Sequence, residues 1–244
     1  MEPHPSPSFA HYPGLRGRES EARALAEQVR RLIRLSVSTA PPAEETAALT
    51  AELAAVADRL ERHLPEVPWP RFLGPADGQT GTGRPLEGTM PFDLIVGGFN
   101  PLALPVEMSF DPPRALGHAV FDAAYEGAPG CVHGAVLVAT FDMVFTGANA
   151  LADATGPTVR LSARYRRPTL LGERTVFEGW VTEVTERRVF CQGRVVQGDV
   201  VTVEAEGEFA ILDRAGVQAM ASGRRASFDA APTAAPEADP ELAP

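Results

Sequence analysis

Hydrophobic and polar positions divide the chain into a helical N-terminal part and a C-terminal part dominated by strands. A stripe of apolar residues three and four positions apart predicts a helix from Arg18 to Ser36; its members are Leu25, Val29, Leu32 and Leu35. A second stripe, after Pro41-Pro42, predicts another helix through Leu49, Leu53, Val56, Leu60 and Leu64. The two helices are expected to form a helical hairpin that packs on the body or on a partner subunit.

From Val106 the pattern changes to short strands around one long apolar helix. "VEMSFD" and "RALGHAVFDAAYE" predict a strand pair joined by a turn at Asp111-Pro112-Pro113, and residues 134 to 151 predict the helix. Four further strands are predicted at 158–166, 174–184, 187–197 and 200–212. The last alternates, with Val201, Val203, Ala205, Gly207, Phe209 and Ile211 on one face and Thr202, Glu204, Glu206 and Glu208 on the other.

This order of elements predicts an α+β fold, in which an antiparallel sheet of about six strands wraps around the central helix. The connections between the strands are short, as antiparallel hairpins require. The apolar face of such a sheet must be covered, and the long helix is the element nearest in the chain that can cover it.

The other segments are predicted to be irregular. Residues 1–16 are rich in proline and the tail from 214 to 244 is rich in alanine and proline, so both are expected to be disordered. Residues 65–105 are rich in proline and glycine and predict a linker or a covering loop, partly packed through Trp69, Phe72, Phe92 and Phe99. The predicted organisation is a helical extension (1–64), a connecting segment (65–105), a main domain (106–213) and a tail (214–244).

Composition narrows the classes of function. The net charge of −10 argues against binding to nucleic acid or to an anionic membrane. All 22 basic residues are arginine, which excludes chemistry that needs a lysine, such as a Schiff base. Two cysteines and no Cys/His cluster indicate neither a disulfide framework nor a metal site. The N-terminus lacks the pattern of a secretory signal, and no apolar run reaches the ~18 residues that span a bilayer. A cytoplasmic protein without a cofactor is expected.

One stretch, "GAPGCVHGAVLVATFDMVFTGANALADA" at 127–154, places a single carboxylate, Asp142, inside the most hydrophobic helix. Together with "PTVRLSARYRRPTLLGERTVFEGWVTEV", it resembles the hotdog-fold thioesterases, and more closely the PaaI-like subgroup named for phenylacetate degradation. The resemblance covers about residues 105–213. The matching positions are His133-Gly134 at the helix start, the acid Asp142 eight residues after the glycine, and Thr158 opening the next strand. The second glycine of the family pattern is Ala135 here, and "EGAPGC" before the histidine contains no asparagine.

The resemblance implies a hotdog fold and hydrolysis of an acyl-CoA thioester. The helix start offers an unpaired N–H group with partial positive charge, so the Gly134 N–H is the expected donor to the thioester oxyanion. Asp142 is expected to act as a general base or as a nucleophile. Thr158 would orient Asp142 or its water, and His133 would contact the carbonyl or cap the loop. Ala135 allows close approach of the substrate, and Arg166 and Arg167 are candidate ligands for the CoA phosphates.

A distance along the helix adds a condition. Gly134 and Asp142 are eight residues apart, which is about 12 Å along one helix and too far for both to act on one carbonyl carbon. The carboxylate is therefore expected to meet the helix start of a second subunit, in a homodimer or a dimer of dimers. A non-catalytic acyl-CoA-binding module on the same fold is the alternative. The pattern of a hydratase or dehydratase, another activity found on hotdog folds, is not found.

Overall fold

The computed structural model describes residues 9, 11–66, 68–69, 71, 90–154 and 156–211. Two helices precede the main domain: α1 (Glu19–Ser38) and α2 (Ala43–Glu61). The main domain contains β1 (Val106–Asp111), β2 (Arg114–Val120), a short 3₁₀ helix (Ala123–Tyr125), α3 (Gly134–Leu151), β3 (Thr158–Tyr165), β4 (Arg174–Val184), β5 (Arg188–Gln197) and β6 (Val200–Ala210). The predicted elements are confirmed within a few residues at each boundary, except for the second strand of the predicted pair at 114–126. That strand ends at Val120, because Asp122 accepts the Ala124 N–H at 2.9 Å and caps the 3₁₀ helix there.

The six strands form one sheet in the order β1-β2-β4-β5-β6-β3, and every neighbouring pair is antiparallel. The crossover through α3 carries the chain from the β1–β2 side to the opposite edge, where β3 pairs only with β6 among the described strands. The predicted α+β architecture with a central helix is therefore confirmed. Both edges, β1 and β3, leave one row of backbone groups without a strand partner among the described residues of one chain.

Helix α3 lies on one face of this sheet and supplies most of its core. A helix that is apolar almost all round must be buried on most sides, and Phe141, Val144 and Phe145 are fully buried. It ends in a Schellman arrangement: Asp153 adopts a left-handed backbone with φ 57°, and the Ala154 N–H donates to the Asn149 carbonyl at 2.9 Å. By length and composition α3 could span a bilayer, contrary to the sequence-based expectation, but half of it is buried inside the protein.

Glycines on three adjacent strands form the groove that receives α3. A Cβ atom at Gly179, Gly193 or Gly207 would lie 2.7–3.0 Å from the ring of Phe145. Gly179 and Gly193 are direct cross-strand partners, so their missing side chains create one continuous depression. The large aromatic ring therefore packs directly on the backbone of the sheet, which fixes the height and rotation of α3.

The predicted alternation of β6 holds only from Val203 onwards. Val203, Ala205, Gly207 and Phe209 are buried as expected, but Thr202 is also buried and its hydroxyl accepts a bond from Thr169 at 2.8 Å. The register between β5 and β6 shifts between Val195 and Val196. An irregularity of this kind reverses the faces of the residues before it, so the strict period of two fails there.

Part of the N-terminal segment that was predicted to be disordered is packed. Phe9, Tyr12 and Leu15 are buried in a second hydrophobic cluster with Phe99. The edge-on rings of Phe9 and Phe99 have centroids 5.3 Å apart. Aromatic side chains spaced three apart allow a short irregular segment to bury apolar surface, which the proline content obscured. Phe72, residues 1–8 and the tail after 211 lie outside the described residues.

The two N-terminal helices do not both pack on the body. The first half of α1 does: Ala26 is buried, and Arg30 donates to the carbonyls of Gly97, Gly98 and Asn100 at 2.8–3.2 Å. Helix α2, by contrast, has no buried residue. The predicted helices are present, but the predicted hairpin is not closed by packing of α2 within one chain.

Candidate active site

Asp142 and Thr158, sixteen residues apart in the sequence, meet in the structure. Asp142 lies half-buried in the middle of α3, and Thr158 is the first residue of β3. The Thr158 hydroxyl donates to Asp142 Oδ1 at 2.5 Å. The carboxylate keeps its second oxygen for a water or a substrate atom, because the hydrogen bond holds only one of the two. Thr158 thus holds the Asp142 carboxylate in a fixed orientation at the β3 edge of the sheet.

His133 is the N-cap of α3. Its ring Nδ1 accepts the backbone N–H of Ala135 at 3.0 Å. The backbone N–H of His133 donates to the Tyr125 carbonyl at 2.8 Å. Since Nδ1 accepts, a neutral ring carries its proton on Nε2, and the side chain is exposed. The phenol of Tyr125 is half-buried below, and burial raises its pKa above the ordinary value.

The loop before His133 is held by hydrogen bonds from its backbone N–H groups. The Gly130 N–H donates to Glu126 Oε1 at 2.6 Å, and Gly130 has a left-handed backbone with φ 72°. A Cβ atom at Gly127 would lie 2.8 Å from the His133 α-carbon, so the turn can close only with glycine there. The Val132 N–H donates to the Thr169 carbonyl at 2.8 Å, which ties the loop to the chain after β3. The start of α3 is therefore a fixed point rather than a free helix end.

Gly134 begins α3 and contacts Tyr165 at the other end of β3. The Tyr165 hydroxyl donates to the Gly134 carbonyl at 3.0 Å, and a Cβ atom at Gly134 would lie 2.9 Å from that hydroxyl oxygen. A larger residue at this position would therefore displace the end of the neighbouring Tyr165 side chain by a few tenths of an ångström. In the part of the chain that the structure describes, the Gly134 N–H has no acceptor, whereas the next N–H, of Ala135, is occupied by His133.

The two halves of the predicted site therefore stand at opposite ends of β3. Asp142 contacts Thr158 at the start of β3, and Gly134 contacts Tyr165 at its end. Their separation along α3 is about 12 Å, as eight helical residues require. One chain alone does not bring Asp142 and Gly134 onto one reacting atom.

The two candidate phosphate ligands differ in how free they are. Arg166 forms an ion pair with Glu204, at 2.6 Å between its terminal nitrogen and the carboxylate. Arg167 is exposed, and its side chain has no acceptor among the described residues. The backbone N–H groups of both residues donate to the Thr202 carbonyl, at 2.8 and 3.1 Å. Ala135, the other predicted substrate contact, is exposed in the first turn of α3. Arg167 is thus the arginine available to an anionic ligand at the Gly134 end of β3.

A cavity of about 750 Å³ lies on the outer face of the sheet, opposite α3. Arg160, Arg164 and Arg166 line it with Trp180 and Glu204, whereas Asp142 and Gly134 do not. The carboxylates and guanidinium groups on this face largely pair with each other, as Arg194 and Glu178 do at 2.9 Å. This cavity is therefore separate from the Asp142–Thr158 pair.

The pairing of Tyr165 with Gly134 was not anticipated from the sequence. Tyr165 begins the "YRRP" segment, in which only the arginines were predicted to bind a ligand. It lies thirty-one residues after Gly134. A contact over that separation has no local periodic signal. Cys191 was not predicted to take part in the site either. It is buried, and its thiol donates to Asn149 Oδ1 of α3 at 3.0 Å. Burial raises the pKa of that thiol to about 12, so it is inert near neutral pH.

Comparisons with known proteins now bear on this arrangement. The family model described as the thioesterase superfamily matches residues 129–204, which include the whole site. The crystal structure of a thioesterase superfamily protein is 30% identical, with a TM-score of 0.67, over 78% of this chain and 90% of that one. The chain belongs to the thioesterase superfamily. Its six-stranded sheet around α3 is the hotdog fold of that superfamily.

Two more distant structures match less than half of this superfamily member. A mutant of the phenylacetic acid degradation protein PaaI from Thermus thermophilus is 22% identical over 45% of this chain and 95% of that one, with a TM-score of 0.41. A Streptococcus mutans protein bound to acetyl CoA is 14% identical over 44% of this chain and 88% of that one, with a TM-score of 0.42. A search of curated proteins found no match.

Proposed function

We propose that this thioesterase superfamily member hydrolyses an acyl-CoA thioester, with Asp142 as general base or nucleophile. One observation carries the proposal: the edge strand β3 has the oriented carboxylate of Asp142 at one end and the unoccupied N–H of Gly134 at the other. Hydrolysis of a thioester needs a group that activates water or attacks the carbonyl, and a donor for the oxyanion. Asp142 supplies the first and the Gly134 N–H the second.

The two groups meet when β3 pairs antiparallel with β3 of a second copy. The midpoint of β3 lies between Leu161 and Ser162, so a twofold axis there sets Thr158 opposite the partner subunit's Tyr165. Asp142 then faces the helix start of the other copy, and the dimer contains two equivalent sites. The exposed residues of β3 and its unpaired backbone row support this arrangement.

The remaining candidates have distinct roles in this site. The His133 ring holds the Ala135 N–H through Nδ1, and its Nε2–H is free to donate to the thioester carbonyl. Tyr165 holds the Gly134 peptide in place from its carbonyl side. Arg167, two residues beyond Tyr165, is placed to meet a phosphate of CoA, since guanidinium groups bind phosphates in a bidentate manner. Arg166 is engaged by Glu204, so it takes a lesser part.

The first test measures hydrolysis of acyl-CoA esters with short, long and aromatic acyl groups. A thiol-reactive dye detects the CoA that is released. Asp142→Asn keeps the size of the side chain and removes its basicity, so we expect kcat to fall by about 10²- to 10⁴-fold. Calorimetry with a slowly turned-over ester checks that binding is retained. Binding without turnover in the unmodified protein would contradict the enzymatic proposal and leave a non-catalytic acyl-CoA-binding module.

A pair of Gly134 variants tests the oxyanion donor. His133 has φ −60° and ψ 132°, a conformation that tolerates a following proline, and proline is well accepted at the first position of a helix. Gly134→Pro therefore removes the N–H donor, and Gly134→Ala is the matched control, because it adds the same Cβ atom beside Tyr165 but keeps the N–H. The proline variant should lose about 10²-fold or more in kcat relative to the alanine variant.

Mixing inactive variants tests whether the site spans two copies. Refolding Asp142→Asn together with Gly134→Pro yields mixed dimers in which one of the two sites combines an intact Asp142 with an intact Gly134. Random assortment predicts recovery of about a quarter of the original activity. No recovery, with mixed dimers demonstrated by mass, would place both groups of the site in one chain.

A further inference from the structure

Helix α2 carries a narrow apolar stripe that none of the described residues of the same chain covers. Its members lie four, three and four residues apart and are 42–48% exposed; they are Leu49, Leu53, Val56 and Leu60. Every residue of α2 is exposed. A helix of this length is marginal in water without packing, so its stripe needs a partner. Since the stripe occupies one side only, it fits a single partner helix.

The second half of α1 presents a matching surface. The part of α1 up to Arg30 is docked on the body, because Arg23 lies over the Phe99 ring at 4.7 Å and Arg30 donates to three carbonyls. From Arg31 to the end of α1 every residue is exposed, and the apolar ones are Leu32, Ile33, Leu35 and Val37. With Leu25, also exposed, this surface is about 18 Å long, against about 17 Å from Leu49 to Leu60, at 1.5 Å per residue.

The linker between the helices keeps the two surfaces apart in one chain. Thr39 is extended, with φ −126° and ψ 157°, and Pro42 has φ −54° and ψ 155°. A residue before proline is also driven to the extended region, so Ala40 and Pro41 continue the same direction. The short extended linker does not fold α2 back onto α1, and both stripes remain exposed.

Charge selects the partner for each stripe. Residues 30–38 contain Arg30, Arg31 and Arg34 and no acid, a net charge of +3. Helix α2 contains five acids and one arginine, a net charge of −4; the acids are Glu44, Glu45, Glu52, Asp58 and Glu61. Residues 30–38 of two copies repel each other, as do two copies of α2, whereas residues 30–38 of one copy attract α2 of the other.

We propose that the exposed stripe of α2 packs on the exposed half of α1 of a second copy of this chain. The reciprocal contact, α1 on the partner's α2, follows from twofold symmetry, so one association buries all four stripes. This interface lies outside the main domain and stands independently of the catalytic proposal.

Reversing the charges tests the pairing in trans. One full-length variant carries Arg31→Glu and Arg34→Glu on α1, which takes residues 30–38 from +3 to −1. The other carries Glu45→Arg, Glu52→Arg and Glu61→Arg on α2, which takes that helix from −4 to +2. Each alone opposes like charges across the proposed interface. Sedimentation velocity over a dilution series at low salt should show self-association weakened by about tenfold or more in each. Arg174→Glu with Arg187→Glu lowers the net charge by four, as the α1 variant does, but on exposed residues of the main domain, so it is the matched control for that variant.

An equimolar mixture of the two variants is the deciding sample. In a mixed assembly the acidic α1 meets the basic α2, and the two unaltered helices meet each other, so association should return to that of the unmodified protein. Within a single chain, α1 and α2 still carry like charges in both variants. Recovery in the mixture therefore reports contact between two chains. Failure of the mixture to recover, or variants that associate as tightly as the unmodified protein, would overturn the proposal. Neither result depends on whether the protein hydrolyses a thioester.

Discussion

The hydrogen bond from Thr158 to Asp142 makes a sharp prediction about catalysis. Thr158→Val replaces the hydroxyl by a methyl group of nearly the same size and leaves the carboxylate without its 2.5 Å donor. A hydrogen bond to a charged group contributes about 1.5–3 kcal/mol. Thr158 is exposed and Asp142 only half-buried, so water recovers part of that, and the lower end of the range applies. We therefore expect kcat to fall about tenfold, which corresponds to about 1.4 kcal/mol.

The assay compares three side chains at this position. Valine retains the preference of threonine for a strand, so the unfolding free energy should change by less than about 0.5 kcal/mol. Thr158→Ser restores the hydroxyl without the methyl group and should recover most of kcat, whereas Thr158→Ala should resemble valine. A Thr158→Val protein with unaltered kcat, or a serine variant as slow as valine, would refute the role of this bond in orienting Asp142.

Three further predictions follow from contacts around α3. Tyr165→Phe removes the donor to the Gly134 carbonyl and should lower kcat about three- to tenfold with KM unchanged, a loss that steady-state kinetics can resolve. Gly193→Ala places a Cβ 2.5 Å from the Glu178 carbonyl oxygen and 2.7 Å from the Phe145 ring, so denaturant titration should show about 3 kcal/mol of destabilisation. The folded-state pKa of Cys191 is raised from 9.0 to about 12, so its contribution to stability is complete below pH 9 and is lost as the pH rises towards 12. Over that range the unfolding free energy should fall more steeply, by up to about 1 kcal/mol per pH unit, than in Cys191→Ala.

Sequence by itself determined the elements of this protein and their order. Periods of two and of three to four report directly which side of a strand or helix meets the core, and that information is local. It placed α3 at residues 134–151 and all six strands, and the motif around His133-Gly134 and Asp142 pointed to a hotdog thioesterase before any contact was known.

Tertiary structure decided what those elements bring together. The bonds from Thr158 to Asp142 and from Tyr165 to Gly134 join residues sixteen and thirty-one positions apart, and only the path of β3 along α3 sets both. The burial of Thr202 depends on a register shift against β5, and the burial of Tyr12 on a cluster with Phe99. The exposure of α2 likewise follows from an extended linker rather than from its own sequence. Contacts of this kind depend on long-range geometry, which a periodic pattern along the chain does not contain.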